Sequence, residues 1–547
     1  MRKSYLIFFI SIFISGVIFA GCYHGDEFTE RCTDCDEGNW YMSRTFMMTR
    51  PVSHNIFAEQ SLWHDFLYDK RDKGGSFQVT AYYQQSIKRP ETAKYFTFGN
   101  KTLLKVLGDE NSDKCFRDIR AEWLGLESDF RGSFSIDPEQ RQFACVFTYN
   151  HDLKSVVDYE FLKRFWLEIS LPVVVVENNM NLCQCDIFNR GSSHPRDILN
   201  AFNQSDWRYA KINGKMSYVN LAPIRIRLGG AFMDEENDQL ATYSVFSLPT
   251  GRDDQNRYLF EPVADYNDHL GFGSGANFQI VINRKQCKDY DICFFLNLET
   301  IFLIRNWHCR TFDLKCRPTD GNCPSCGSYC APCPCGTIVH GYTPDGNCAR
   351  HCAPCDYKPK PWSRYLLFNV KNGAPGQNIP GVNVLTKRVK VRPYNMIEFS
   401  TGFRVKAERF EGEIGYSIWG HGAERIQCID KFRKQWGIAG AVQYRDTFAR
   451  SASLSTICCQ VATDAEKREV GSGDGDPIFI PICESDLDLD SAACPGALNH
   501  IIHCAGGFIR EGDCVDALVG LGLYYDIPQK NSALKTWGLW IKFGGSF

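Results

Sequence analysis

Residues 536–547 constrain the fold more than any other stretch. Trp537, Leu539, Ile541, Phe543, Gly545 and Phe547 alternate with Thr536, Gly538, Trp540, Lys542, Gly544 and Ser546. The first set is apolar apart from its glycine. The second is small or polar apart from Trp540. Side chains point to opposite sides along a strand, so this is a strand with one greasy face. A soluble sheet would turn that face to its core. A membrane barrel would turn it to lipid.

The other end of the chain favours the membrane. Arg2 and Lys3 precede an apolar run from Tyr5 to Ala20. That run is too short for a spanning helix, so residues 1–20 read as a secretory signal peptide. Cleavage after Ala20 is one outcome. Lipidation of Cys22 is another, since Ala20-Gly21-Cys22 fits a lipobox with Phe19 in place of the usual Leu. No later run reaches 18 apolar residues, and Val173 to Val176 is the densest. Only strands remain to cross a bilayer. A mean hydropathy of −0.30 with 14% aromatic residues suits a polar lumen inside an aromatic-girdled wall. A net charge of −3 speaks against nucleic acid as a partner.

The alternation recurs along the chain. Phe77, Val79, Ala81 and Tyr83 share a face, as do Phe130 to Ile136, Phe143 to Tyr149 and Phe165 to Val175. Pro172 predicts a kink or bulge in the last of these. Residues 196–202 predict a short helix within a loop, and 233–268 a polar loop. Residues 270–283 and 292–306 predict a hairpin, 397–420 a second, and 436–444 a further strand. Gly271, Gly273 and Gly275 mark a place where the strand bends or its neighbours pack closely. The expected fold is all-β: a transmembrane antiparallel β-barrel of about fourteen strands (twelve to sixteen), built from residues 76–547. Residues 21–75 are expected to form a periplasmic or plug segment, with Cys32 and Cys35 as a small disulfide staple.

Charged residues mark the inward face. Arg225 and Arg227 alternate with Ile224, Ile226 and Leu228, and on a membrane strand such a pair must face the lumen or an interface. Arg404 and Lys406 lie on one arm of the second hairpin, and Glu411 and Glu413 on the other. With Lys542, these six are the expected pore-lining residues, shaping a lumenal field. In a soluble sheet the same residues would form an ordinary solvated face. Trp166, Trp419 and Trp540 also fall on the inner face.

The chain carries 26 cysteines, which with a signal peptide point to disulfides outside the cytosol. Cys309, Cys316, Cys323, Cys326, Cys330, Cys333, Cys335, Cys348, Cys352 and Cys355 crowd into an insertion at 309–362. Zinc would use CxxC pairs such as Cys323 and Cys326 as thiolates. Disulfides suit a Pro- and Gly-rich segment with no core, and are the expectation. Counting strand direction back from the last strand puts the insertion on the outer surface. A second long loop spans 448–497, and its Asp486, Asp488 and Asp490 read as an acidic patch ahead of a calcium site.

There is no HExxH, GxSxG or P-loop spacing, so neither an enzyme nor a cofactor is expected. The signal segment and the strand ending on Phe547 resemble Gram-negative outer-membrane barrels. In those, Trp537, Leu539, Ile541, Phe543 and Phe547 would form the signal read by the barrel-insertion machinery. More narrowly, Arg310 to Leu314, Trp362 to Leu367, Asn383 to Thr386 with Lys390 to Pro393, and Phe410 to Trp419 resemble a family of large barrels from intracellular bacteria without known activity. The cysteine insertion departs from that family. The resemblance implies outer-membrane lipids as surroundings after export across the inner membrane.

The expected function is a pore for passive diffusion of small hydrophilic solutes. One alternative is a plugged barrel anchoring a disulfide-rich adhesin or coat protein, with host or neighbouring surface proteins as partners. Another is a transporter of hydrophobic substrates. A soluble two-sheet protein would give the same alternation.

Overall fold

In a computed structural model of the chain, the described residues are 74–547, apart from 315–362, 439–486 and shorter stretches inside other connections. Twelve strands, numbered here in chain order, dominate them. They are β1 (Gly75–Ser86), β2 (Glu139–Asp152), β3 (Phe165–Asn179), β4 (Ile224–Glu235), β5 (Asp238–Leu248) and β6 (Gly271–Val281). There follow β7 (Asp291–Leu303), β8 (Asn395–Ala407), β9 (Phe410–His421), β10 (Ala497–Arg510), β11 (Asp516–Pro528) and β12 (Thr536–Ser546). Each pairs antiparallel with its neighbours in sequence. The ring closes where β12 meets β1, from Ser76 opposite Ser546 to Ser86 opposite Thr536. Gly75 and Phe547 exchange backbone hydrogen bonds at 3.0 and 2.9 Å beside that seam. Closure removes every free edge from the ring.

The apolar face points outward. Phe143, Leu228, Phe232, Phe246, Phe272, Ile414, Leu521, Leu523, Leu539 and Phe543 are all exposed large hydrophobics. The inward positions mix polar residues, such as Gln78, Thr80, Gln84, Gln142, Asn277, Asn297, Ser400 and Ser417, with an apolar cluster that includes Tyr82, Val146, Val176, Ile301 and Met396, all buried. A greasy outside around a partly polar inside is the arrangement of a barrel whose solvent is lipid. On β2 the outward residues between Arg141 and His151 are Phe143, Cys145, Phe147 and Tyr149. At ~3.3 Å per residue that segment is ~33 Å long, or ~25 Å high at a tilt of ~40°. No helix is long and apolar enough to cross a membrane among the described residues.

The two ends differ. At one end β4–β5 and β8–β9 are joined within 236–237 and 408–409, and β10–β11 within 511–515. At the other lie 87–138, 180–223, 249–270, 304–394, 422–496 and 529–535. These connections fold together. Leu103–Leu107 and Arg131–Ser135 share a four-stranded sheet with Cys183–Phe188, linking the first two connections. Asn306–Thr311 pairs with Thr386–Arg392, which pairs with Arg425–Ile429. One hydrophobic core takes Phe134, Phe202, Phe260, Phe312, Leu487 and Leu534, one from each of the six connections. This body is called the cap below.

The ring has twelve strands, at the low end of the expected twelve to sixteen. Phe130 to Ile136 and the run from Trp436 alternate as wall strands do, but they serve the cap, as Arg131–Ser135 and Trp436–Ile438. Conversely, β5 lies inside the stretch read as a polar loop. Its outward face carries Thr242 and Ser244 beside Phe246, so neither of its faces is continuously apolar. The expected helix is α1 (Ile198–Phe202), capped by Asp197, whose carboxylate accepts from Asn200 N at 2.7 Å. Pro172 makes no bulge. It marks the point where β3 changes partner, from β4 over 165–170 to an outside strand, Met216–Leu221, over 173–178.

Candidate functional site: the barrel interior

Glycines opposite large rings shape the interior. Trp166 lies over Gly229, Tyr243 over Gly275, Trp540 over Gly522, Tyr524 over Gly538, and His503 over Gly415, each directly across a strand pair. A Cβ at Gly229, Gly275, Gly522, Gly538 or Gly415 would fall 2.2–2.4 Å from the facing ring. Each ring therefore lies flat against bare backbone, and only glycine permits it. The three inner-face tryptophans expected from sequence, Trp166, Trp419 and Trp540, all point inward and are at most 5% exposed.

Two charge networks cross the lumen between these rings. In the first, Arg227 from β4 pairs with Glu168 of β3 and, at 3.0 Å, with Glu299 of β7. Arg225 stands 3.6 Å from Glu299, and the Tyr243 hydroxyl donates to Glu299 at 3.0 Å. In the second, Arg404 from β8 meets Glu413 at 2.8 Å and Glu411 at 3.3 Å, both on β9. It also donates to Gln279 of β6 at 2.9 Å and sits over the Phe295 ring. His503 of β10 approaches Glu413 at 3.5 Å. Arg225, Arg227, Glu299 and Arg404 are only 1–2% exposed, and Lys542, over the Trp540 ring, is 0%. Burying such charges is favourable only with partners and hydrogen bonds in good geometry, and Arg227 with Glu299 and Arg404 with Glu413 have both.

The sequence-predicted residues can now be placed. Arg225, Arg227, Arg404, Glu411, Glu413 and Lys542 all point inward. Arg404 stands directly opposite Glu413, and Lys406 opposite Glu411. Arg225 and Arg227 join a different network from Arg404, across the lumen wall. Glu168, Tyr243, Glu299, Gln279 and His503 were not singled out from sequence. Their only signal was parity: each is a polar residue at an inward position of an alternating run. Trp537, Leu539, Ile541, Phe543 and Phe547 face outward at the closing seam, all at least 37% exposed. Among the cysteines of the insertion, Cys309 lies in Asn306–Thr311. The others, with residues 1–73, Cys32 and Cys35 included, lie outside the described residues. Cys145, Cys183, Cys185, Cys504 and Cys514 are free thiols. No group of three or more His, Cys, Asp or Glu is arranged to hold a metal ion among the described residues.

The cap has its own buried ion pairs. Arg364 grips Asp313 through two hydrogen bonds of 3.1 and 2.9 Å. Burial pushes its guanidinium down, but the Asp313 carboxylate more than offsets this and the net shift is upward. Asp488, paired across from Asp313, is pushed up by burial and then by that neighbour. It is thus part of a shared structural cluster with Arg364.

A closed, antiparallel, up-and-down barrel with lipid-facing walls is the class of protein the fold defines. Among solved structures the chain is similar to an outer-membrane channel from Pseudomonas putida F1, with 9% identity over 86% of this chain and 94% of that one, TM-score 0.34. It is also similar to a FadL homologue from Pseudomonas aeruginosa, with 7% identity over 86% and 90%, TM-score 0.26. The CymD monoaromatic hydrocarbon channel shows 7% identity over 91% and 94%, TM-score 0.20. Scores this low carry no argument, and the strand pairing stands by itself. No protein-family model matches the chain, and no curated protein does.

Proposed function

We propose that this chain is an outer-membrane barrel that anchors its cap at the cell surface, with the lumen held shut by the two charge networks. The observation that carries this is the burial of Arg225, Arg227, Glu299, Arg404 and Lys542 at 0–2% exposure inside a closed wall. Outer-membrane barrels put short turns in the periplasm and long connections outside. The shared core of the six long connections then makes the outer surface a folded body that offers a recognition surface to host or neighbouring proteins. Outward Trp537 to Phe547 would meet lipid and the insertion machinery. The disulfide-rich insertion would emerge from this same body.

A second reading is a channel that conducts when the networks part. It is favoured by polar atoms inside the barrel that no protein group meets: both amide atoms of Asn277, and the indole N–H of Trp419 and Trp540. Such groups suit a wet interior. On that reading Arg225, Arg227, Arg404, Lys406, Glu411, Glu413 and Lys542 line the path, and passive passage of hydrophilic solutes follows. Passage of hydrophobic molecules has less support, since the inward apolar residues, among them Val146, Val176, Ile301, Met396 and Ile501, pack together into one buried cluster.

Labelling of intact cells with a membrane-impermeant amine reagent tests the anchor. Lys101, Lys105 and Lys215 of the cap are expected to react without lysis. Labelling of these three only after lysis would overturn the orientation.

A further inference from the structure

Where the cap meets the barrel mouth, titratable groups from three connections are buried together. His269, from the β5–β6 connection, and His308, from Asn306–Thr311, are 2% and 1% exposed. Their Nε2 atoms lie 3.0 Å apart, and the ring centroids 4.6 Å apart. His269 Nδ1 lies 2.8 Å from the carbonyl of Ile304, to which it must donate. Its Nε2 is then a lone pair, and His308 Nε2–H donates to it. Two ring nitrogens this close hold one proton between them. A second proton there would set two N–H groups against each other.

The surroundings give no room for extra charge. Arg310, two residues along the same strand face, is held by both carboxylate oxygens of Glu424 at 3.2 Å. Glu424 also accepts from Cys494 N at 3.0 Å. Lys387 stands opposite Arg310 on Thr386–Arg392. His421, stacked on Tyr394 at 3.6 Å, precedes Glu424 by three residues. The charged groups that act on the histidine pair are thus Arg310 and the Glu424 carboxylate that holds it.

We propose that His269 and His308 form a proton-operated clasp that holds the Asn306–Thr311 strand against the end of the β5–β6 connection at the barrel mouth when both rings are neutral and releases it when they charge. Burial holds both rings below the ordinary histidine range, and Arg310 and His269 add to this at His308. The sign follows. Released rings titrate near ~6.5, so protons favour the released state below that pH. His308, held at about 2 while closed, then shifts the balance toward release by about 50-fold between pH 6.5 and 4.5, and His269 adds to it in the same direction. Above pH ~6.5 the clasp is fully closed.

The test is hydrogen exchange of the full-length refolded protein at pH 7.5 and 4.5, read as protection factors. It needs neither conduction nor a particular orientation, so it fails or succeeds apart from the anchor reading. Protection of 306–311 and 386–392 is expected to fall at least 100-fold at pH 4.5, with β9–β12 unchanged. The double variant His269→Phe/His308→Phe is expected to keep its protection at both values. If that variant does not fold, His308→Gln retains an N–H donor without titrating and is expected to reduce the loss. Undiminished protection of the native chain at pH 4.5 would overturn the clasp. So would an equal loss in a folded variant.

Discussion

At the scale of single residues, the interior is decided by pairs that tolerate no change. Glu299 compensates Arg225 and Arg227 and accepts from Tyr243. Glu299→Gln leaves two buried guanidinium groups short of a counter-charge, and should lower stability by about 3–5 kcal/mol. Urea unfolding in detergent, followed by tryptophan fluorescence, measures it. The glycines give a second contrast. A valine at Gly229 would meet the Trp166 ring, whereas an alanine at outward Gly506 finds its nearest neighbour at 3.7 Å. Gly229→Val is expected to cost at least ~1–3 kcal/mol or block folding, and Gly506→Ala to stay within ~1 kcal/mol. Equal effects of the two would remove the ring-on-glycine account.

At the scale of elements, the strands were legible in the sequence wherever one face was mostly apolar. β1, β2, β3, β7, β8, β9 and β12 have such a face, and alternation found them. β5 does not, because Thr242 and Ser244 interrupt it, and it was lost in a loop. Arg131–Ser135 and Trp436–Ile438 misled in the opposite direction, because a cap sheet with one buried face has the same period as a lipid-facing wall. The site was half legible for a related reason. Arg404 and Glu413 share a hairpin, so local register predicts their meeting. Glu168 stands directly opposite Arg227, but a long connection separates β3 from β4 and hides that register, and Glu299 lies three strands further on, where only the curvature of the closed ring brings it to Arg227. The lipid boundary can be tested element by element. Leu523→Arg on the outward face of β11 should cost ~2–4 kcal/mol in refolding into bilayers. Val219→Arg, 62% exposed on the outside strand Met216–Leu221, should stay within ~0.5 kcal/mol.

At the scale of the whole molecule, the barrel and the cap divide the work. The barrel is a wall whose inside is filled by rings, arginines and carboxylates. The cap is a second folded body whose core depends on all six long connections, so no single connection can be expected to act as an independent lid. That arrangement favours a display surface over a free pore, and it ties the central claim to one number. Single-channel conductance of the refolded protein in a planar bilayer at pH 7.5 measures it most directly, with insertion verified separately. Silence from the native chain, with openings in the Glu299→Gln variant, is the predicted result. Large, stable, permanently open steps from the native chain would contradict a lumen closed by its own charges.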